Sequence, residues 1–190
     1  MSAPERLSPF GPELTPGRHG AAGASPVTLA ERRVDIVQVM GSEAAVGGIA
    51  LPQPGRAEIS GDAMAVWIQP SGWLVIRPRS DEGALAKTLA DAAGDKAAVV
   101  DQSHGRAVLR LSGANARDVL AKGCRIDLHP RAFSAGSAAT TTIDHITVTI
   151  VQVDATPIYD LVLPANFAEA FLGWLGMSAA EYGYEIRPAA

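Results

Sequence analysis

One unit occurs twice in this chain, and it limits the fold more than any other feature. Trp73-Leu-Val-Ile-Arg-Pro78 and Tyr159-Asp-Leu-Val-Leu-Pro164 are both apolar runs closed by a proline. An apolar stripe at helical spacing comes after each. After the first it is Leu85, Leu89, Ala92 and Ala93; after the second, Phe167, Ala170, Phe171, Trp174 and Leu175. Proline has no N–H to give to a ladder, so both prolines stand where a strand hands over to a helix. The preceding parts match loosely: Gly41 to Pro52 and Gly113 to Pro130 each read as a strand exit, a helix and a Leu-(His)-Pro stop. The pattern predicts an α+β fold of two β-α-β-β-α-β halves, residues 31–103 and 104–190.

The other elements are read from local periodicity. Val34 to Met40 is β-branched with apolar residues on both faces, so it predicts a strand covered on both sides. Ser42 to Val46 reads as a short helix, and Leu51 to Gly55 as a loop. Ala63 to Gln69 and Trp73 to Arg77 form a hairpin across Pro70-Ser71-Gly72. Ser80 is placed to cap the next helix, with Asp81 and Glu82 in its first turn. Ala97 to Gln102 is a strand. Thr140 to Val153 reads as one long or bent strand, and Ile158 to Leu163 returns after Ala155-Thr156-Pro157. Asn166 and Glu169 resemble a capping box, and Tyr184 to Arg187 is a final strand. Residues 1–30 differ: prolines and glycines alternate from Pro4 to Pro26 with too little apolar material to pack alone. That segment predicts a tail, either draped over a partner or disordered.

Composition excludes several classes. Sixteen Lys and Arg against 20 Asp and Glu give a net charge of -4, unsuited to tracking nucleic-acid phosphates. No apolar run approaches the ~18 residues of a membrane span, and the first residues lack the apolar core of a secretory signal. The single cysteine, Cys124, rules out an intramolecular disulfide and points to a reducing, cytoplasmic setting.

The richest stretch runs from Asp101 to Phe133. Arg106 to Ser112 alternates, with Ala107, Leu109 and Leu111 on one face and Arg106, Val108 and Arg110 on the other. Ser112 or Gly113 caps a helix whose stripe is Ala116, Val119 and Leu120. Gly123 stops it, and Cys124 continues the stripe as a buried small hydrophobe. His104-Gly105-Arg106 stands at a strand joint; it could bind an anion or be a solvated turn. Asp127, His129 and Arg131 could form a polar cluster at an interface or a solvated loop. The four histidines are too dispersed to present a metal pair on a helix, and no serine sits in a nucleophile elbow. Trp67, Trp73 and Trp174 read as core or subunit contacts.

The same stretch, with Lys122-Gly123-Cys124 and Asp127-Leu128-His129-Pro130-Arg131 its most specific runs, resembles the gamma subunit of heterotetrameric sarcosine oxidase. Trp67-Ile-Gln-Pro-Ser-Gly-Trp-Leu-Val-Ile76 is similar to the same family, whose usual turn is Gly-Pro-Asp-Glu-Trp-Leu; Gln69, Ser71 and Gly72 depart from it. The resemblance covers residues 30–180. It implies the fold of the folate-binding domain of glycine-cleavage aminomethyltransferase. It also implies a non-catalytic structural subunit, with no catalytic, cofactor or metal residue of its own. His104, Arg106, Asp127, His129 and Arg131 are then candidate subunit-interface residues. The implied partners are alpha, beta and delta subunits, which would hold FAD, covalent FMN, NAD, zinc and tetrahydrofolate. The implied complex oxidises sarcosine to glycine, hydrogen peroxide and formaldehyde or 5,10-methylenetetrahydrofolate. Lys122-Gly123-Cys124 is also similar to the Lys-Gly-Cys loop of folate-dependent iron–sulfur repair proteins. Arg125-Ile126-Asp127-Leu128 stands where that loop continues as Tyr-x-Gly-Gln-Glu, a departure from their pattern. A stand-alone folate-binding protein, of that type or of the aminomethyltransferase type, is the alternative.

Overall fold

The structure is a computed structural model that describes residues 7–22 and 25–189. After a short 3-10 turn at Gly11–Glu13 come β1 (Gly17–His19), β2 (Val27–Glu31), β3 (Val34–Gly41), β4 (Ala45–Val46) and β5 (Ile49–Ala50). Next are β6 (Ala57–Ser60), β7 (Ala63–Gln69), β8 (Gly72–Pro78), α1 (Ala84–Ala93) and β9 (Ala97–Asp101). The second part holds β10 (Arg106–Ser112), α2 (Ala116–Ala121), β11 (Ala138–Ile143), β12 (Ile146–Asp154), β13 (Ile158–Pro164), α3 (Ala168–Ala179) and β14 (Tyr184–Arg187). The fold is α+β and mostly sheet.

Two sheets carry the architecture. One has five strands in the order β6-β7-β8-β3-β9, the other seven in the order β1-β14-β2-β10-β13-β12-β11. All neighbours are antiparallel except β14 and β2. Strand alternation sorts the apolar side chains into three layers. Val34, Ile36, Met64, Val66, Leu74 and Ile76 of the first sheet meet Val108, Val151 and Val162 of the second. The opposite face of the first sheet, with Val37, Val39 and Val75, buries Leu85, Leu89 and Ala93 of α1. The opposite face of the second, with Leu109, Leu111 and Leu161, buries Val119 and Leu120 of α2 and Phe171, Leu172 and Leu175 of α3. β3 is therefore covered on both faces, as its composition requires.

Several expectations are corrected. Ser42 to Val46 is no helix: Gly47 and Gly48 both take positive φ (55° and 78°) and fold β4 back on β5, which is hairpin geometry that suits consecutive glycines. Thr140 to Val153 is two strands, because Asp144 and His145 adopt the same left-handed pair (44° and 67°) without glycine. With this hairpin, three strands and not two lie between α2 and α3. The β-α-β-β-α-β order thus differs in detail. The residue 30 boundary falls inside β2, which sits between β14 and β10, and Phe10 is fully buried with the α3 core.

Helix ends also differ. α1 starts at Ala84 with Gly83 as its cap, so Asp81 and Glu82 precede it, and Ala92 is exposed. Ser80 instead donates its N–H and Oγ–H to Asp35, each at 2.8 Å. α2 is flanked by Asn115, whose Nδ2 donates to the Ser25 carbonyl. A 3-10 turn precedes α3, neither Asn166 nor Glu169 caps it, and Phe167 and Ala170 are exposed. The helix presents Ala168, Phe171, Leu172, Leu175 and Ala179 to the core.

One buried carboxylate ties the sheets' connection. Asp160 is fully buried on β13 and accepts from Arg110 Nε (2.7 Å) and Nη2 (2.9 Å), and from Arg32 Nη1 (2.7 Å). Arg32 lies in the link between β2 and β3, where the chain passes from one sheet to the other. Removing one member of a buried ion group leaves the others uncompensated, a loss of about 3 kcal/mol or more. Asp160→Ala should therefore lower stability in denaturant titration by that order. Asp62→Ala, which breaks an exposed, solvent-screened pair with Arg77, should leave the transition almost unchanged. Equal effects would refute the anchoring role.

Candidate functional site

A cavity of about 760 Å³ opens beside the start of β3. Asp35, the chain after β8 (Arg79 and Ser80) and the joint between β9 and β10 (Ser103 and His104) line it, with Ala165 before α3. Its floor is preorganised. Ser103 is buried; its Oγ accepts from the Ile36 N–H at 2.9 Å, and its own N–H donates to Asp101 at 2.8 Å. Asp35 is buried and held by Ser80. His104 is exposed, and its Nε2 lies 3.1 Å from Glu82 Oε1. The joint itself is tight: Gly105 N–H donates to the Gln102 carbonyl, and Ala165 N–H to the Gly105 carbonyl, each at 3.0 Å.

The five candidate interface residues do not form one cluster. His104 is on the cavity wall. Arg106 opens β10 opposite Pro164; its Nε is buried without an acceptor, and burial lowers its pKa. Asp127, His129 and Arg131 are all exposed in one local turn. Asp127 Oδ1 accepts from the His129 N–H (2.8 Å), and His129 Nδ1 from the Arg131 N–H (3.2 Å). Buried Leu128 and Phe133 pin this turn to the α2–α3 core. Among the described residues, no hydrogen bond or ion pair joins the two groups.

The geometry of Lys122-Gly123-Cys124 is that of a packing joint. Lys122 Nζ reaches the Ser178 carbonyl and Glu181 at the end of α3, and stands 5.0 Å from the centre of the Tyr182 ring. A Cβ on Gly123 would come within 2.5 Å of Trp174 Cζ2. Cys124 is half-buried and bridges to Ile143, and burial pushes its thiol pKa above the ordinary 9.0. Cys124 packs against the α2–α3 core as its spacing suggests, but it lies past the end of α2 and is half-buried instead of buried, and the sequence held no sign of Trp174 as the partner of Gly123. Trp73 is also tied down, its Nε1–H donating to the Pro52 carbonyl at 2.8 Å. In the Gln69-Pro-Ser-Gly72 turn, Ser71 takes φ 55°, and a Cβ on Gly72 would lie 2.6 Å from Gln69 Cγ. Gly72 thus accommodates the bulge that Gln69 introduces.

Among the described residues, no group of three or more His, Cys, Asp or Glu side chains is placed to hold a metal ion. No described helix is long and apolar enough to cross a membrane.

Two outcomes test the packing joint. Gly123→Ala should destabilise the chain by about 1–3 kcal/mol, because the ring cannot move without disturbing the core. The loss should shrink in a Trp174→Ala background, measured as a double-mutant cycle. Undiminished loss there would show that Trp174 is not the obstacle. For Cys124, the raised folded pKa means the neutral thiol is the form the fold favours. That contribution is intact below the unfolded value and is lost as pH rises through the folded one. Iodoacetamide at about pH 8 should therefore alkylate Cys124 more slowly in the native than in the unfolded chain; equal rates would refute it.

Known proteins share this sequence and fold. The Sarcosine oxidase, gamma subunit family matches residues 36–181. The sarcosine oxidase subunit gamma of Corynebacterium sp. (strain P-1) is 40% identical over 142 residues, covering 73% of this chain and 68% of the relative. That of an Arthrobacter species is 36% identical over 143 residues, with the same coverage. Among solved structures, a chain of the heterotetrameric sarcosine oxidase from Corynebacterium sp. U-96, in complex with pyrrole 2-carboxylate, superposes with a TM-score of 0.77. It is 28% identical, over 86% of this chain and 88% of that one. The glycine cleavage system aminomethyltransferase T from Bartonella henselae superposes with a TM-score of 0.62 at 16% identity, over 80% of this chain and 45% of that one, a likeness of fold alone. Sequence and structure agree over the same span, and the chain belongs to the sarcosine oxidase gamma subunit family.

Proposed function

We propose that this chain is a structural, non-catalytic subunit of a heterotetrameric sarcosine oxidase, packed against alpha, beta and delta subunits that carry the flavins, NAD, zinc and tetrahydrofolate. The complex would oxidatively demethylate sarcosine to glycine, with hydrogen peroxide and formaldehyde or 5,10-methylenetetrahydrofolate as the other products. The observation that carries this reading is the near-complete superposition on a chain from such an assembly, 86% of one and 88% of the other. The local geometry supports it: Lys122 and Gly123 of the Lys-Gly-Cys run are engaged by α3, and Cys124 is half-buried against Ile143 with burial favouring its neutral thiol. The exposed turn of Asp127, His129 and Arg131, and exposed His104, are the surfaces assigned to partner subunits.

The two-half organisation belongs to the same reading. β6-β7-β8-β3 in one sheet and β11-β12-β13-β10 in the other share order and direction, and each half ends in a helix and a strand. The halves differ where β2 enters. β9 pairs directly with β3, whereas β2 stands between β10 and β14. In this reading residues 31–103 and 104–190 follow one strand pattern, with the β4–β5 hairpin standing where the second half has α2 and β2 added from the N-terminal side.

The test is purification of the tagged chain from its native host. Three co-purifying chains, a flavin absorbance spectrum and sarcosine-dependent peroxide release are expected. A colourless monomer that binds tetrahydrofolate would reject the reading in favour of a folate-binding protein.

A further inference from the structure

A strand at the end of a sheet leaves every second backbone N–H and C=O without a neighbour. Folds blunt such edges with charge, proline, a bulge or a cover. Three of the four edges of the two large sheets are treated in this way. β1 is three residues long, with Arg18 at its centre and Pro16 just before it. β6 carries Glu58, and its Ala57 N–H donates to the Gly136 carbonyl at 2.8 Å. β11 is tied at both ends: its Ala138 N–H donates to the Gly55 carbonyl at 2.9 Å, and Ile143 is bridged to Cys124. β9 has no such protection before Asp101 at its end. Residues 97–100 are Ala-Ala-Val-Val, and Val100 is 41% exposed.

The ladder fixes which groups are free. Gln102 N–H donates to the Ile36 carbonyl at 2.8 Å, so the even-numbered residues of β9 bond to β3. Ala97, Val99 and Asp101 therefore turn their N–H and C=O outward, where no described residue receives them. β14 shows what such an edge takes. It too follows a helix, and its outer side pairs with β1, antiparallel, Arg18 opposite Glu185. The charges bracketing the edge narrow the occupant further. Lys96 is exposed, and neither it nor Asp101 makes an ion pair among the described residues. An antiparallel strand that meets both must carry an acid at one end and a base at the other. A second copy of this chain cannot do so. A two-fold axis sets one residue opposite itself, so opposed residue numbers have an even sum and Lys96 never faces Asp101.

We propose that the outer edge of β9 pairs with an extended strand of a partner subunit. That strand runs antiparallel, is uncharged opposite residues 97–100, and is charged at its ends to match Lys96 and Asp101. It lengthens the five-stranded sheet by one strand across the interface, with main-chain hydrogen bonds to Ala97, Val99 and Asp101. Val100 gains cover from the same strand. Such pairing presupposes the subunit role and gives it a contact surface.

The experiment compares backbone deuterium exchange of the full chain alone and in the complex purified from its native host. Exchange across Ala97–Asp101 should slow about tenfold or more on assembly, because paired amides exchange only on opening. Val99→Pro removes an outward N–H and no bond to β3, so the isolated chain should keep its Tm while partner subunits co-purify about tenfold less. Val100→Lys, which leaves the backbone intact and puts a charge on the edge, should weaken co-purification in the same direction; it decides alone if Val99→Pro lowers the Tm. A complex that assembles with residues 97–101 unprotected, or that forms fully with both variants, would overturn the edge pairing and leave the subunit reading standing. Absence of any complex would overturn both. Self-association of the isolated chain that Val99→Pro abolishes would assign the edge to a second copy and overturn the pairing with a partner subunit.

Discussion

The carboxylate of Asp160 sits where the molecule's two sheets share one piece of chain. The link from β2 to β3 is only two residues long, Arg32 and Arg33, and it must carry the backbone from the seven-stranded sheet to the five-stranded one. Arg32 donates its backbone N–H to the Val108 carbonyl at 2.9 Å and its side chain to Asp160. The same carboxylate receives Arg110 from the neighbouring strand, directly across the β10–β13 ladder. A fully buried carboxylate is tolerable only with such compensation. Arg110 gains from it in turn, its pKa raised by the Asp160 hydrogen bond. The inter-sheet apolar layer of Val108, Val151 and Val162 surrounds this ion group, so sheet packing and crossing point depend on one another.

Around that anchor, the residues that looked most like chemistry in the sequence divide by depth. The Lys-Gly-Cys run lies between α2 and α3, where each of its three members meets a specific neighbour. The Asp-x-His-x-Arg run stays outside, folded on its own backbone. The His104 joint opens onto the cavity beside β3, because it lies where β9 leaves one sheet and β10 enters the other, and the Lys-Gly-Cys run borders a smaller cavity of about 330 Å³. Both links between the sheets, Arg32-Arg33 and the turn after Asp101, thus contribute to the same cavity wall through Arg33 and His104. Sheet crossings leave backbone and polar groups outside the ladders, which is where a fold of packed layers has room for a site.

Legibility tracked period and length. The strands β3, β7, β8, β10, β13 and β14 were readable because alternation or β-branched runs announce a pleated surface. The core stripe of α2 was readable for the same kind of reason. What failed was local chemistry with two possible outcomes. Ser80 and Asn166 are good caps in general, but Ser80 serves Asp35, forty-five positions away, and α3 starts through a 3-10 turn. Asp144-His145 carries no glycine, so its left-handed turn has little trace in the sequence; the Thr- and Val-rich strands paired across it enforce it. The N-terminal segment read as a tail because Phe10 and Val27 to Glu31 are short apolar islands among prolines and glycines. They are buried only because α3 and the β10 edge offer a place.

The sequence by itself determined the α+β class, most of the strands, the two proline-closed strand–helix units and, through the Asp101–Phe133 stretch, the family. These rest on periodicity and on runs of residues, which are local properties. Tertiary structure alone decided that β2 completes the larger sheet, that Gly123 is required by Trp174, that Asp160 accepts from two arginines, and that Arg33, Arg79 and His104 share a cavity. Each of these joins residues far apart along the chain. Such contacts arise from which apolar faces bury one another, and no local pattern records that choice.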